Sequence, residues 1–135
     1  MKNMETLNHK EKETASFSLV KRAKSFTHAG RGIKIFIKTT HNAWIHIIVA
    51  VIVVILGFRF GLSEAEWGLI VFAIGMVMTA EALNTAIEID IDLTSPEYHP
   101  YARNTKDVAA GAVLIATLTA IAIGLIIFLP KFLAL

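Results

Sequence analysis

Four polar residues interrupt an apolar stretch at helical spacing. With Glu81 as zero and about 100° per residue, Asn84 falls at about −60°, Glu88 at about −20° and Asp92 at about +20°, while Asp90 falls on the opposite side. Two carboxylates two turns apart on one face of an apolar helix are costly in a membrane. Such groups ordinarily face a bundle interior or a wet cavity, where they hold a cation or exchange a proton. Asn84 alone would do no more than cross-link helices, and Asp92 alone would mark an interfacial helix end. Beside the two glutamates they complete one polar stripe, from which Asp90 stands apart as a solvated or headgroup-level charge.

Beyond Leu93 the run Thr94-Ser95-Pro96 breaks the helix and Glu97-Tyr98-His99-Pro100 continues the loop. A new helix is expected from near Asn104, with Lys106 and Asp107 in its first turn. Asp107 would complement the helix dipole there, whereas Lys106 would oppose it and is better explained as a phosphate contact. A loop histidine is a weak signal, but His99 lies at the same membrane face as Glu88 and Asp92.

The elements that must position these groups are membrane spans. The chain has 135 residues, 55% of them hydrophobic, and a mean hydropathy of +0.60, too apolar for an ordinary soluble domain. A formal charge of +2 argues against a highly basic nucleic-acid-binding domain, and no nucleic-acid partner is expected. The lack of cysteine excludes disulfides, thiolate metal sites and cysteine nucleophiles. Residues 108–129 carry no charge and end at Pro130 and Lys131; residues 43–63 are interrupted only by His46 and Arg59; residues 67–93 hold the acidic stripe. Each is long enough for a hydrocarbon core that needs about 20 residues. Trp44 and Trp67 fall where interfacial aromatics belong.

Nine of the 13 Lys and Arg precede residue 43. With the N-terminus in the cytoplasm, Arg103 and Lys106 join them inside and only Arg59 and Lys131 lie outside, which satisfies the positive-inside rule. Residues 1–16 read as a polar disordered tail. Leu19, Ala23, Phe26, Gly30, Ile33 and Ile37 form a helical stripe flanked by Lys and Arg, suited to an anionic membrane surface or to packing on a partner helix. Gly30 and Gly32 are expected to bend this helix into two pieces.

The runs Glu81-Ala-Leu-Asn84-Thr-Ala-Ile-Glu88, Asp92, Glu97-Tyr98-His99 and Lys106-Asp107-Val-Ala-Ala-Gly-Ala-Val resemble the signature of the prokaryotic diacylglycerol kinase and undecaprenol kinase family, over about residues 17–130. The resemblance implies an all-α integral membrane protein: an N-terminal amphipathic surface helix at about 17–40, transmembrane helices at about 43–63, 67–93 and 106–129, and a homotrimeric bundle with sites between subunits. A lone protomer would leave the Glu81 stripe facing lipid, which also favours an oligomer. The expected lipid-kinase domain covers 17–135 in the bacterial inner membrane, and its expected reaction moves the γ-phosphoryl group of ATP to a lipid hydroxyl. By the same resemblance Glu81 is the general base, Asn84 supports the reacting groups, and Glu88 is a ligand of Mg²⁺, a hard cation that takes oxygen donors. Lys106 contacts phosphate, and Asp92, His99 and Asp107 are polar residues of the ATP site. No glycine-rich nucleotide loop of the usual kinds is present.

Thr40 departs from the pattern. Many members have a glutamate there as a second cation ligand, so Thr40 itself, or the neighbouring His41, is a candidate to replace it. Asn42 and His46 keep the pattern around it. The segments Asp92-Leu93-Thr94 and Ala109-Ala110-Gly111-Ala112-Val113 look more like the undecaprenol kinase branch than the diacylglycerol kinase branch. Two rivals stand beside this reading: a non-catalytic oligomeric ion or proton pathway through Glu81 and Glu88, which does not need His99, Lys106 and Asp107 at the mouth, and a membrane-bound interaction subunit that uses the basic arm as a lipid sensor and does not depend on the acids. A catalytically silent homologue is the harshest consequence of the departure at Thr40.

Overall fold

The computed structural model describes residues 19–134, with side chains from residue 23 onward; the polar tail expected at 1–16 lies outside them. Four helices follow in order: α1 Leu19–Thr39, α2 His41–Phe60, α3 Glu64–Thr94 and α4 Pro100–Leu133. No strand occurs among the described residues. The last three helices are long and apolar enough to cross a membrane.

Each boundary has a local cause. α1 runs unbroken through Gly30 and Gly32, so the expected bend is not there. Each glycine costs a helix interior only about 1 kcal/mol, too little to interrupt the backbone ladder. The break comes instead at Thr40, extended at φ −104° and ψ 109°, and α2 starts with the next residue. α2 ends three residues before the expected 63. There Gly61 takes φ +61°, its N–H reaches Phe58 O at 3.3 Å, and Leu62 N–H reaches Gly57 O at 3.2 Å. These are the two bonds of a Schellman ending, which needs a residue free of a Cβ at the left-handed position.

α3 begins at Glu64, ahead of the expected 67, because Ser63 and Glu66 form a reciprocal capping box. Ser63 N–H donates to Glu66 Oε2 at 2.7 Å, and Glu66 N–H to Ser63 Oγ at 3.4 Å. α4 begins well before the expected Asn104. His99 accepts from the Tyr101 N–H as N-cap, and Pro100 fills the first helical position, where its missing donor costs nothing. The helix then continues past Pro130 to Leu133, because a proline in the last turn removes only one ladder bond.

α3 packs along α4 and, less extensively, against α2. The apolar core lies at the end carrying the α2–α3 turn, where Leu62, Ile70, Ile127 and Phe128 are buried with Trp67 and Phe60 against them. Phe60 meets Phe132 edge-on at 4.8 Å, and Lys131 Nζ meets Glu66 Oε1 at 3.0 Å, tying the end of α4 to the start of α3. Large side chains such as Phe58, Val71, Phe72, Ile115 and Ile126 remain exposed, as lipid-facing residues do. The opposite half of α3 buries polar groups instead: Glu81, Asn84 and Thr85.

The Trp67 ring sits so close to Gly57 that a Cβ there would lie 2.6 Å from its Cη2 and 3.0 Å from Leu62 Cδ1. Gly57→Ala is therefore expected to destabilise the α2–α3 contact by about 1 to 3 kcal/mol, the usual cost of overpacking. A lowered thermal denaturation midpoint of the detergent-solubilised protein checks it.

Candidate active site

The polar half of α3 forms one wall of a cavity of about 260 Å³; the other wall is the α1–α2 junction, residues 39–42. Glu81, Asn84, Glu88 and Asp92 line it from α3, joined by Thr40 and His41. The 100° spacing thus converges with the fold: one helix face supplies the acids and the junction at Thr40 supplies the opposite wall. Thr85 lines the cavity too and was absent from the candidates. Its position at about +40° from Glu81 would have placed it on the stripe.

Glu81 is the most buried side chain of the set, 1% exposed, and its Oε1 has no partner. This burial is achieved within a single chain, so Glu81 does not face lipid in the protomer as the sequence suggested; the turn from α1 into α2 covers it. Asn84 Nδ2 donates to Glu88 Oε1 at 2.9 Å, while its Oδ1 is a second buried acceptor without a donor. The two acceptors lie three residues apart on the face that lines the cavity. Glu88 and Asp92 are exposed at the cavity mouth.

The remaining candidates, Lys106, Asp107 and His99, are not among the residues lining the cavity, and of the three Lys106 alone pairs with a residue that does. Lys106 is in the second turn of α4, not the first, because His99 and Pro100 start the helix six residues earlier. The argument from the helix dipole therefore does not apply to it. Its ammonium is held instead by an ion pair with Asp92, which joins it to the acidic stripe across the α3–α4 loop. Asp107 likewise does not serve the helix start; it pairs with Arg103 one turn back at 3.5 Å. The His99 ring caps α4 and stacks on Tyr101 with centroids 5.7 Å apart.

Among the described residues no three His, Asp or Glu side chains converge on a metal position. The cavity lining nevertheless offers the oxygens of Glu88, Asp92 and Thr40 together with the His41 imidazole. Its carboxylates suit a hard divalent cation that keeps several waters and phosphate ligands. A second, apolar groove of about 540 Å³ between α3 and α4, lined by Leu83, Ile87, Val108 and Ala112 among others, also reaches Asn84.

Residues 27–128 match the family model described as prokaryotic diacylglycerol kinase. The chain is 47% identical over 108 residues to the undecaprenol kinase of Bacillus subtilis, covering 80% of this chain and 88% of that protein. It is 36% identical over 112 residues to the diacylglycerol kinase of Synechocystis sp., covering 82% of this chain and 64% of that one. The Escherichia coli K12 diacylglycerol kinase is 40% identical over 53 residues, 39% of this chain and 43% of its own. With more than two thirds of its length matched and an acidic helix face lining a cavity between its helices, the chain belongs to the prokaryotic diacylglycerol kinase family, lipid kinases that transfer a phosphoryl group to an alcohol acceptor.

Proposed function

We propose that the chain transfers the γ-phosphoryl group of ATP to the hydroxyl of a membrane lipid, with undecaprenol preferred to diacylglycerol. The observation that carries this reading is Glu81, buried at the cavity floor with one carboxylate oxygen unpartnered. A lipid hydroxyl supplies the missing donor. As its oxygen bonds to the γ-phosphorus and the bond to the ADP oxygen breaks, its proton passes to the Glu81 carboxylate.

Glu88 is oriented for its own task by the Asn84 amide, which leaves carboxylate lone pairs for a cation at the mouth. Mg²⁺ bound there would neutralise the phosphate charge that builds during transfer. Lys106, held by Asp92, offers a cationic contact to the same phosphates, whereas His99, the cap of α4, and Asp107, paired with Arg103, are assigned to the ATP site by the family resemblance. The preference for undecaprenol draws its support from the 47% identity to an undecaprenol kinase across most of both chains.

The same reading places the protein in the bacterial inner membrane with its N-terminus cytoplasmic, α1 as an amphipathic surface helix, and three copies assembled with sites between them. Exposed Glu88 and Asp92 at the mouth leave room for a neighbour's groups. Crosslinking in lipid is expected to give a trimer, and a monomer with full activity would remove the shared-site proposal.

The decisive assay follows labelled phosphate from ATP to undecaprenol, diacylglycerol and ceramide with purified protein. Undecaprenol is expected to be the best acceptor, and transfer to none of them sinks the reading. Glu81→Gln, nearly isosteric, is expected to lower turnover by about 10²- to 10⁴-fold, the range for loss of a general base, with ATP binding largely kept. Glu88→Gln is expected to raise the Mg²⁺ concentration for half-maximal activity. Equal small losses with unchanged Mg²⁺ dependence would make the stripe structural.

A further inference from the structure

Thr40 is bonded to α3 rather than to its own helix. It occupies the N-cap of α2 in extended conformation, yet its side chain makes no capping bond, although threonine there ordinarily accepts from the first-turn N–H groups. Its Oγ1 lies 2.8 Å from Thr85 Oγ1 instead. Thr85 Oγ1 in turn donates to the Glu81 carbonyl at 2.9 Å.

The direction of this chain of bonds is fixed by proton count. A hydroxyl has one proton, and a carbonyl can only accept. Thr85 spends its proton on Glu81, so Thr40 is the donor between the two hydroxyls. The relay runs from the α1–α2 junction through Thr85 to the backbone of the residue that carries the buried carboxylate. Thr40 is half-buried and Thr85 buried, and Ala43, in the first turn of α2, is completely so.

These bonds cross the acidic cavity from wall to wall. Residues 39–42 form one side, Glu81, Glu88 and Asp92 the other, and the two hydroxyls meet between them. We propose that Thr40 is a positioning residue: by donating to Thr85 it clamps the α1–α2 junction onto the α3 turn bearing Glu81 and so sets the width of the cavity in which transfer occurs. The clamp rests on the reading of that cavity as the phosphoryl-transfer site. It also gives Thr40 a task of its own at the position where the family resemblance leads one to expect a carboxylate.

The clamp is tested in the full-length chain reconstituted in lipid, with labelled ATP and undecaprenol. Thr40→Val removes the hydroxyl and keeps the shape, and because Thr40 makes no cap bond the start of α2 loses nothing else. It is expected to lower kcat about tenfold or more, since small misplacements of reacting groups act on the rate, with the KM for ATP within about twofold. Thr40→Ser restores the donor and is expected to recover kcat to within about twofold. Thr40→Val combined with Thr85→Val is expected to be no slower than the slower single variant, as for two members of one unit. Should Thr40→Val not fold, Thr85→Ala breaks the same bond from α3 and carries the same expectation. Wild-type kcat in Thr40→Val while Glu81→Gln is inactive overturns the clamp and leaves the site intact. Equal losses in the Val and Ser variants, or multiplicative losses in the double variant, also overturn it. Full turnover in Glu81→Gln instead overturns the reading of the site, and the clamp with it.

Discussion

A carboxyl group that is 1% exposed, with one oxygen unpartnered, is a debt the protomer does not settle by itself. Burying such a group without a donor costs several kcal/mol, and apolar helices offer no water to repay it. The rest of the architecture is organised around making that burial tolerable. α3 carries Glu81 on the face turned toward the chain's own interior, the α1–α2 junction covers it, and Thr85 and Asn84 beside it keep the neighbourhood polar. On the proposed reading, the hydroxyl of the lipid acceptor completes the hydrogen bonding.

Stability and chemistry are separated along the helices. The end with the α2–α3 turn holds the Schellman ending at Gly61, the Ser63–Glu66 capping box, the Lys131–Glu66 pair and the aromatic cluster of Phe60, Trp67, Phe128 and Phe132. The other end is built of ion pairs and single hydrogen bonds between exposed or half-buried groups, each worth little in isolation. Such contacts exchange readily with a charged substrate.

Much of the site was legible because a single helix carries it. The 3.6-residue period is enough to bring Glu81, Asn84, Glu88 and Asp92 to one face, and apolar run lengths are enough to find three spans. Contacts between elements were not legible. Thr85 escaped because a threonine in a helix is unremarkable until a second hydroxyl from a distant segment meets it. Lys106 falls in a first turn only if His99 and Pro100 belong to the loop, and a proline after a possible cap is itself a helix-start signal that argues otherwise. Gly30 and Gly32 were given more power to break a helix than about 1 kcal/mol each confers. The Ser63-x-x-Glu66 box stood in the sequence and would have moved the start of α3 to its observed place.

The length of α4 has a consequence for where chemistry takes place. Its 34 residues span about 51 Å at 1.5 Å per residue, against a hydrocarbon layer of about 30 Å. Some 20 Å of helix therefore stands outside the oily layer. α3, with 31 residues, overshoots in the same way. On the proposed membrane reading, extended helices of this kind would act as stilts that raise the α3–α4 loop and its charges toward the headgroup zone. A lipid alcohol whose tail remains in the bilayer presents its hydroxyl at that boundary, and a phosphate-bearing nucleotide arrives there from water. On the proposed function, two reactants that never share a solvent would meet at a height measured out in helical turns.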